Sequence, residues 1–278
     1  MSEHQRAVPV KPGPAAEAEE NGDRYRAPAL DKGLDILEAL AATEVGLTQA
    51  EIAKALDRSP SEIYRMLDRL LRRGYVVRTD AERYELSLKL FALAHQHSPR
   101  RRLVSLAMPL MRDFVESAEQ SCHLAVFDRG QVVVIAQLDA PTYWGVAIRL
   151  GAHVGLLGTG SGHVLLAFQS PAERALMLAE HEAAIGELPA PPDLEARLAA
   201  VRARGYERMA SRQLRGGTNI AAPVLGPDGS AIAALSCAFV AQADPERPGV
   251  EVAVARMVGA ARALTALAGG QSASPVPR

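Results

Sequence analysis

Cysteine is nearly absent from this chain. Its 278 residues hold two, Cys122 and Cys237, far apart and without metal-site spacing. That excludes a disulfide framework and points to a reducing compartment, so a cytoplasmic protein is expected. Also missing is any uninterrupted apolar run near the roughly 20 residues that a bilayer-spanning helix needs. No membrane partner is therefore expected. The opening MSEHQRAVPVKPGPAAEAEENGDR lacks the apolar core of a signal peptide. Charge of one sign is lacking too. The net charge is -1 and the pI about 6.7, so the whole chain is no bulk-basic nucleic-acid binder. Two enzyme signatures fail in the glycine-rich GTGSGH. Thr159 and His163 occupy the outer glycine positions of G-x-S-x-G, and His163 takes the last of G-x-G-x-x-G. His95 and His97, two apart, fall on different helix faces and make a poor metal pair. No cofactor, metal or catalytic residue is expected.

Hydrophobic residues are plentiful, at 48%, and the length leaves room for two domains. The most informative stretch is SPSEIYRMLDRLLRRGYVVR, residues 59–78. Ser59 can serve as N-cap, Pro60 suits the first helical position, and Glu62 completes a capping box. Ile63, Met66, Leu67, Leu70 and Leu71 recur at helical spacing as one apolar stripe. Gly74 supplies a C-cap, and Tyr75-Val76-Val77 leads off as a strand. Upstream, LTQAEIAKALDR carries a second capping box, Thr48 to Glu51, and only Asp57-Arg58 separates its helix from the Ser59 cap. Two short helices so joined cross at a large angle, the geometry of a helix-turn-helix. LDKGLDILEAL supplies a covering helix through Leu34, Leu37 and Leu40. YVVRTDAERYELS reads as two strands around a turn, with Asp80 and Arg83 near its tip. Three helices and a two-stranded wing make the winged helix-turn-helix pattern.

Charge agrees locally. Between Arg58 and Arg83, seven arginines (58, 65, 69, 72, 73, 78, 83) oppose four acids (62, 68, 80, 82), a balance of +3. Such a patch attracts the phosphate backbone, and the first turns of a recognition helix meet base edges. Ser61, Glu62, Tyr64 and Arg65 are expected at or near bases, and Arg58, Arg69, Arg78 and Arg83 at phosphates. Thr48, Gln49 and Ser59, at the two helix starts, join the same surface. Arg72 and Arg73 read as solvated.

Downstream, SLKLFALAHQHSPRRRLVSLAMPLMRDFVESAEQ gives a short helix capped by Ser87, an interruption at Ser98-Pro99, and a longer helix to about Ala118. This linker can transmit orientation and provide dimer surface. CHLAVF and QVVVIAQL read as a hairpin about Asp128-Arg129-Gly130, and WGVAIRL as a third strand. GLLGTGSGHVLLAF runs from a turn into a helix, and further helices start at Ser170-Pro171 and at DLEARLAAVRARGY. NIAAPVL and AIAALSCAFV form a second hairpin, and a helix from about Gly249 to Ala268 closes the chain. The pattern is one antiparallel sheet with helices on it, an α+β fold.

LDKGLDILEAL, LTQAEIAKAL, SPSEIYRMLDRLLRRGYVVR, RYELSLKLFALA, GTGSGHVLLAF and GGTNIAAPVLGPDGSAIAALS come in an order and spacing that resemble the IclR family of bacterial transcriptional regulators, from about Ala27 to Leu267. The chain departs from that family's pattern at His163, where the turn usually continues Gly-Lys, and at Glu62, where many members have a small hydroxyl residue. The resemblance implies a winged helix-turn-helix head, a linker helix and a GAF-like effector-binding domain with antiparallel sheet and helices. It implies a homodimer or homotetramer on a two-fold operator in double-stranded promoter DNA. The boundaries follow as a disordered tail 1–26, a DNA-binding domain 27–86, a linker helix 87–102, an effector-binding and oligomerisation domain 103–268, and a tail 269–278.

The resemblance also implies a small-molecule effector, often an organic acid, held near the glycine-rich turn. Gly158, Thr159, Gly160 and Ser161 start a helix whose free N–H groups and positive dipole end favour a carboxylate. Asn219, Ser236 and Cys237 add polar contacts, and Trp144 or Leu156 an apolar wall. The alternative is that Thr159 and Ser161 only cap a helix and Cys237 is a small buried hydrophobe. His123 and His163 have no assigned role. Two other function classes compete: an enzyme built on a Cys237–histidine pair, and an interaction module whose arginine face binds an acidic protein.

Overall fold

The structure is a computed structural model that describes residues 27–79, 81–96, 98–186, 190–244 and 246–270. The tail expected over 1–26, the end of the chain beyond residue 270, Asp80 and His97 lie outside these residues. The chain divides into two compact units, one up to residue 97 and one from Ser98 onward.

In the first unit, α1 (Pro28–Ala41), α2 (Gln49–Ala55) and α3 (Pro60–Arg72) precede β1 (Val76–Arg78) and β2 (Tyr84–Leu86); α4 spans Lys89–Gln96. Thr48 caps α2 with both halves of a capping box, its amide donating to Glu51 Oε2 at 2.8 Å. Asp57 turns the chain between α2 and α3 with φ 49°, in the left-handed region. Helix α3 ends in a Schellman pair: Tyr75 N–H bonds Leu70 O and Gly74 N–H bonds Leu71 O, both at 2.9 Å, with Gly74 at φ 72°. Strands β1 and β2 pair antiparallel, Val77 opposite Glu85, and Leu47 adds an isolated antiparallel bridge to Tyr84. The core holds Ile36, Leu40, Ile52, Ile63, Leu67, Val76 and Tyr84. Two expected core positions differ. Leu34 is exposed and Ile36 is buried in its place, while Leu71 is 37% exposed because the stripe leaves the core as α3 reaches its last turn.

The second unit is a six-stranded antiparallel sheet in the order β5-β4-β3-β8-β7-β6. Its strands are β3 (Cys122–Asp128), β4 (Gln131–Leu138), β5 (His153–Val154), β6 (Glu207–Ala210), β7 (Thr218–Leu225) and β8 (Ala231–Phe239). Helices α5 (Ser98–Ala118) and α9 (Val250–Leu267) cover one face. Helices α6 (Gly160–Ala167), α7 (Pro171–Ile185) and α8 (Leu194–Arg204) lie on the other. With both faces covered, β7 and β8 are almost continuously apolar and alternate between two cores. Ile220, Ala222, Leu235 and Cys237 pack with α5 and α9, whereas Ala221 and Ala234 pack with α6 and α8. The β3–β4 hairpin turns through Arg129 (φ 44°) and Gly130 (φ 80°), the two positive values of a type I′ turn.

The expected strand WGVAIRL is not one. Residues 139–152 are irregular and only His153–Val154 pairs with β4. The short strand β6 was absent from the expected elements.

Candidate nucleic-acid interface and effector cavity

On the outer face of α3, the arginines separate into two kinds. Arg72 Nε is held by the Asp68 carboxylate at 2.9 and 3.0 Å. Arg58 pairs with Asp35 at 3.6 Å, and Arg78 pairs with Glu82 at 2.7 Å. Arg83, expected at a phosphate, donates to Gly46 O at 2.7 Å and to Glu51 at 2.9 Å, tying the wing to α2. Among the described residues, Arg65, Arg69 and Arg73 have no ion-pair or hydrogen-bond partner for their guanidinium groups, and Arg65 and Arg69 are exposed. They recur every four residues and so form one line along the helix. Tyr64 beside them is 58% exposed.

The start of α3 is braced. The Glu62 carboxylate accepts from Ser59 Oγ at 3.0 Å, from Ser59 N–H at 3.3 Å and from Lys32 Nζ of α1 at 2.6 Å. The Lys32 bond, then those from Ser59, lower its pKa to about 2. Gln49 Nε2 donates to Pro60 O at 2.9 Å, linking the two helix starts. Ser61 is exposed, its Oγ 3.2 Å from Ser59 Oγ.

Within the second unit, a cavity of about 370 Å³ lies between the sheet and the start of α6. Of the expected effector residues, Thr159, Gly160, Ser161, Asn219, Ser236 and Cys237 line it. Three do not. Leu156 is fully buried in the core under α6, Trp144 sits in the irregular segment with its carbonyl accepting from Thr142 Oγ1, and Gly158 faces Arg212. Cys237 meets the cavity only from behind. Pleating puts its side chain with α5 and α9, and burial raises its thiol pKa above the ordinary value. Cys122 shares that face, its Sγ 3.7 Å from Met111 O, and burial pushes it up to about 12. Neither is a poised nucleophile.

The glycine-rich turn owes its composition to packing. A Cβ on Gly162 would stand 2.0 Å from Leu156 O, and one on Gly160 would stand 3.2 Å from Ala221 Cβ. Thr159 Oγ1 donates to Gly155 O at 2.6 Å and accepts from Gly162 N–H at 3.1 Å, so this hydroxyl is a cap. Ser161 Oγ lies 2.8 Å from Ser236 Oγ and 3.4 Å from His123 Nε2, all three buried. Burial lowers the His123 pKa to about 4, leaving the ring neutral near pH 7. Residues missed by the sequence complete the lining. Val146 and Ile148 supply apolar wall, and His153, Ser211, Gln213 and Leu214 complete the rim. The alternation in WGVAIRL was the available signal for the first two, and it serves the cavity instead of a strand. Among the described residues, none that lines the cavity is Asp, Glu, Lys or Arg.

A winged helix-turn-helix with an arginine-lined outer helix, joined to an α+β unit with an internal cavity, defines a ligand-sensing class of DNA-binding protein. Comparison with known proteins makes the class specific. Residues 29–80 match the IclR helix-turn-helix domain, and residues 95–264 match the bacterial transcriptional regulator IclR C-terminal domain. The chain is similar to the HTH-type transcriptional regulator BhcR of Paracoccus denitrificans, 32% identical over 213 residues, covering 75% of this chain and 76% of that one. It is also similar to the HTH-type transcriptional regulator KdgR of Escherichia coli, 31% identical over 213 residues, covering 75% and 80%. Among solved structures, an IclR homolog of Microbacterium hydrocarbonoxydans complexed with 4-hydroxybenzoate shares the fold at TM-score 0.71 and 24% identity, over 86% of this chain and 98% of that one. The Thermotoga maritima IclR shares it at TM-score 0.68 and 24% identity, over 86% and 98%. The chain belongs to the IclR family of bacterial transcriptional regulators. It is a DNA-binding regulator of transcription. No helix among the described residues is long and apolar enough to cross a membrane.

Proposed function

We propose that this regulator binds a two-fold operator as a homodimer or homotetramer in the cytoplasm, and that a small carboxylic acid in the cavity changes its affinity for DNA. One observation carries the DNA half: Arg65 and Arg69 stand exposed and unpartnered among the described residues, beside the exposed Tyr64. Ser61, Tyr64 and Arg65 read base edges and Arg69 meets phosphate. Arg58 and Arg78 reach phosphates by exchanging weak surface ion pairs for stronger ones. Thr48, Gln49, Ser59, Glu62 and Arg83 hold the shape of this surface. Residues 27–86 form the DNA-binding domain, 87–102 the linker and 103–268 the effector and oligomerisation domain.

For the effector, support comes from a cavity whose lining carries no acid or cationic chain, and from the 4-hydroxybenzoate with which one structural neighbour is complexed. An acid there is held by hydroxyls, ring nitrogen and backbone amides without a competing carboxylate. The chain is not an enzyme on this reading. Ser161 meets His123 at a long 3.4 Å, and among the described residues no carboxylate orients that ring. Fluorescence anisotropy with the protein's own promoter DNA against an unrelated duplex tests the first half, and equal weak affinity would overturn it. A thermal-shift screen of small carboxylic and aromatic acids tests the second. A Ser161→Trp variant that retained the parent response would remove the turn from the site.

A further inference from the structure

Behind the cavity wall lies a buried histidine–glutamate pair that the effector reading does not use. His163, at the end of the first turn of α6, is 1% exposed, and Glu207, the first residue of β6, is 2% exposed. His163 Nδ1 lies 2.8 Å from Glu207 Oε2, and Nε2 lies 3.1 Å from Leu157 O. A carbonyl oxygen only accepts, so Nε2 carries a proton. The other Glu207 oxygen accepts from Arg208 N–H at 2.8 Å and from Arg204 of α8 at 3.0 Å. Burial alone would raise the Glu207 pKa, but the bond and charge of His163, then the Arg208 amide and Arg204, carry it below the ordinary value.

We propose that the buried His163–Glu207 contact positions the glycine-rich turn, and with it the wall formed by Thr159, Gly160 and Ser161. The ring joins three segments at once: the turn through Leu157, helix α6 on which it sits, and edge strand β6 through Glu207. Arg212 lies against Gly158 of the same turn. Arg202 of α8 donates to Ala167 O and Gln169 O at the far end of α6, the Arg208 side chain pairs with Glu251, and His123 faces Ser161 from β3. Removing one partner of a buried hydrogen-bonded pair leaves the other polar group unsatisfied, which is costly.

Only the consequence for the effector rests on the cavity reading; the positioning is testable without any ligand. Hydrogen exchange, read by mass spectrometry on the segment containing Gly160 to Gly162, tests the positioning. Glu207→Gln should speed exchange there on the order of tenfold. Glu251→Gln, which releases Arg208 without touching His163, should leave it unchanged. Exchange in Glu207→Gln within about twofold of the parent, against that expected loss of local protection, would overturn the positioning role.

Discussion

Lys32 Nζ sits 2.6 Å from Glu62 Oε1, so helix α1 grips the first turn of the recognition helix. Sequence alone reads Glu62 as a cap or a base contact, and here the same carboxylate also joins two helices. Its pKa falls from the ordinary 4.5 to about 2, so it binds fewer protons folded than unfolded across that interval. The stability it contributes is complete above pH 4.5 and is lost as pH falls toward 2. Lys32→Met should lower the urea midpoint of the first unit at pH 6, and lower it less at pH 2.5. An equal loss at both would mean that the pair is not the source.

Arg65 and Arg69 should separate under mutation. Arg65→Ala is expected to reduce discrimination between operator and mismatched DNA by about 1–3 kcal/mol. Arg69→Ala should weaken binding to every duplex and lower the salt slope by about 1. Anisotropy titrations at three salt concentrations distinguish them. Unchanged operator preference in Arg65→Ala would mean that bases are read elsewhere.

Two glycines should answer alanine in opposite directions. Gly162→Ala puts a methyl group 2.0 Å from Leu156 O, a backbone atom that cannot yield, and should cost about 3 kcal/mol or more. Gly33→Ala places its methyl in open space inside α1 and should stabilise the first unit by up to about 1 kcal/mol. Denaturation midpoints of the full chain test both.

His123 makes the second unit sensitive to mild acid. Above its ordinary pKa of 6.5 the ring is neutral folded and unfolded, and contributes nothing. Between 6.5 and about 4 the unfolded chain takes up a proton that the buried ring refuses. Stability therefore falls with pH over that window, by about 3 kcal/mol at its end. His123→Asn should flatten this part of the profile. A variant with an unchanged slope would place the acid sensitivity elsewhere.

Where local periodicity and tertiary packing agree, the sequence was readable. The caps at Thr48 and Ser59, the Ile63–Leu67 stripe and both long hairpins appear where their spacing puts them. It failed where a distant partner decides. Strand β6 is Glu-Arg-Met-Ala, and its most buried residue is an acid whose partner His163 lies 44 residues away, so hydropathy sees no strand. Val146 and Ile148 alternate as a strand does, yet their apolar side chains are satisfied by a cavity. Cys237 lies next to Ser236 in sequence, but pleating sends the two to opposite faces. Arg83 reads as a free cation until Gly46 and Glu51 stand beside it.

The sheet's central strand pair sets His123 of β3 opposite Ser236 of β8. A ribosome adding about 5–20 residues per second needs on the order of 10 s to pass from one to the other. Until β8 emerges, the finished β3–β4 hairpin has an open edge and the cavity has no floor. The cavity is therefore among the last parts of the molecule to exist, while the whole first unit has been synthesised long before it.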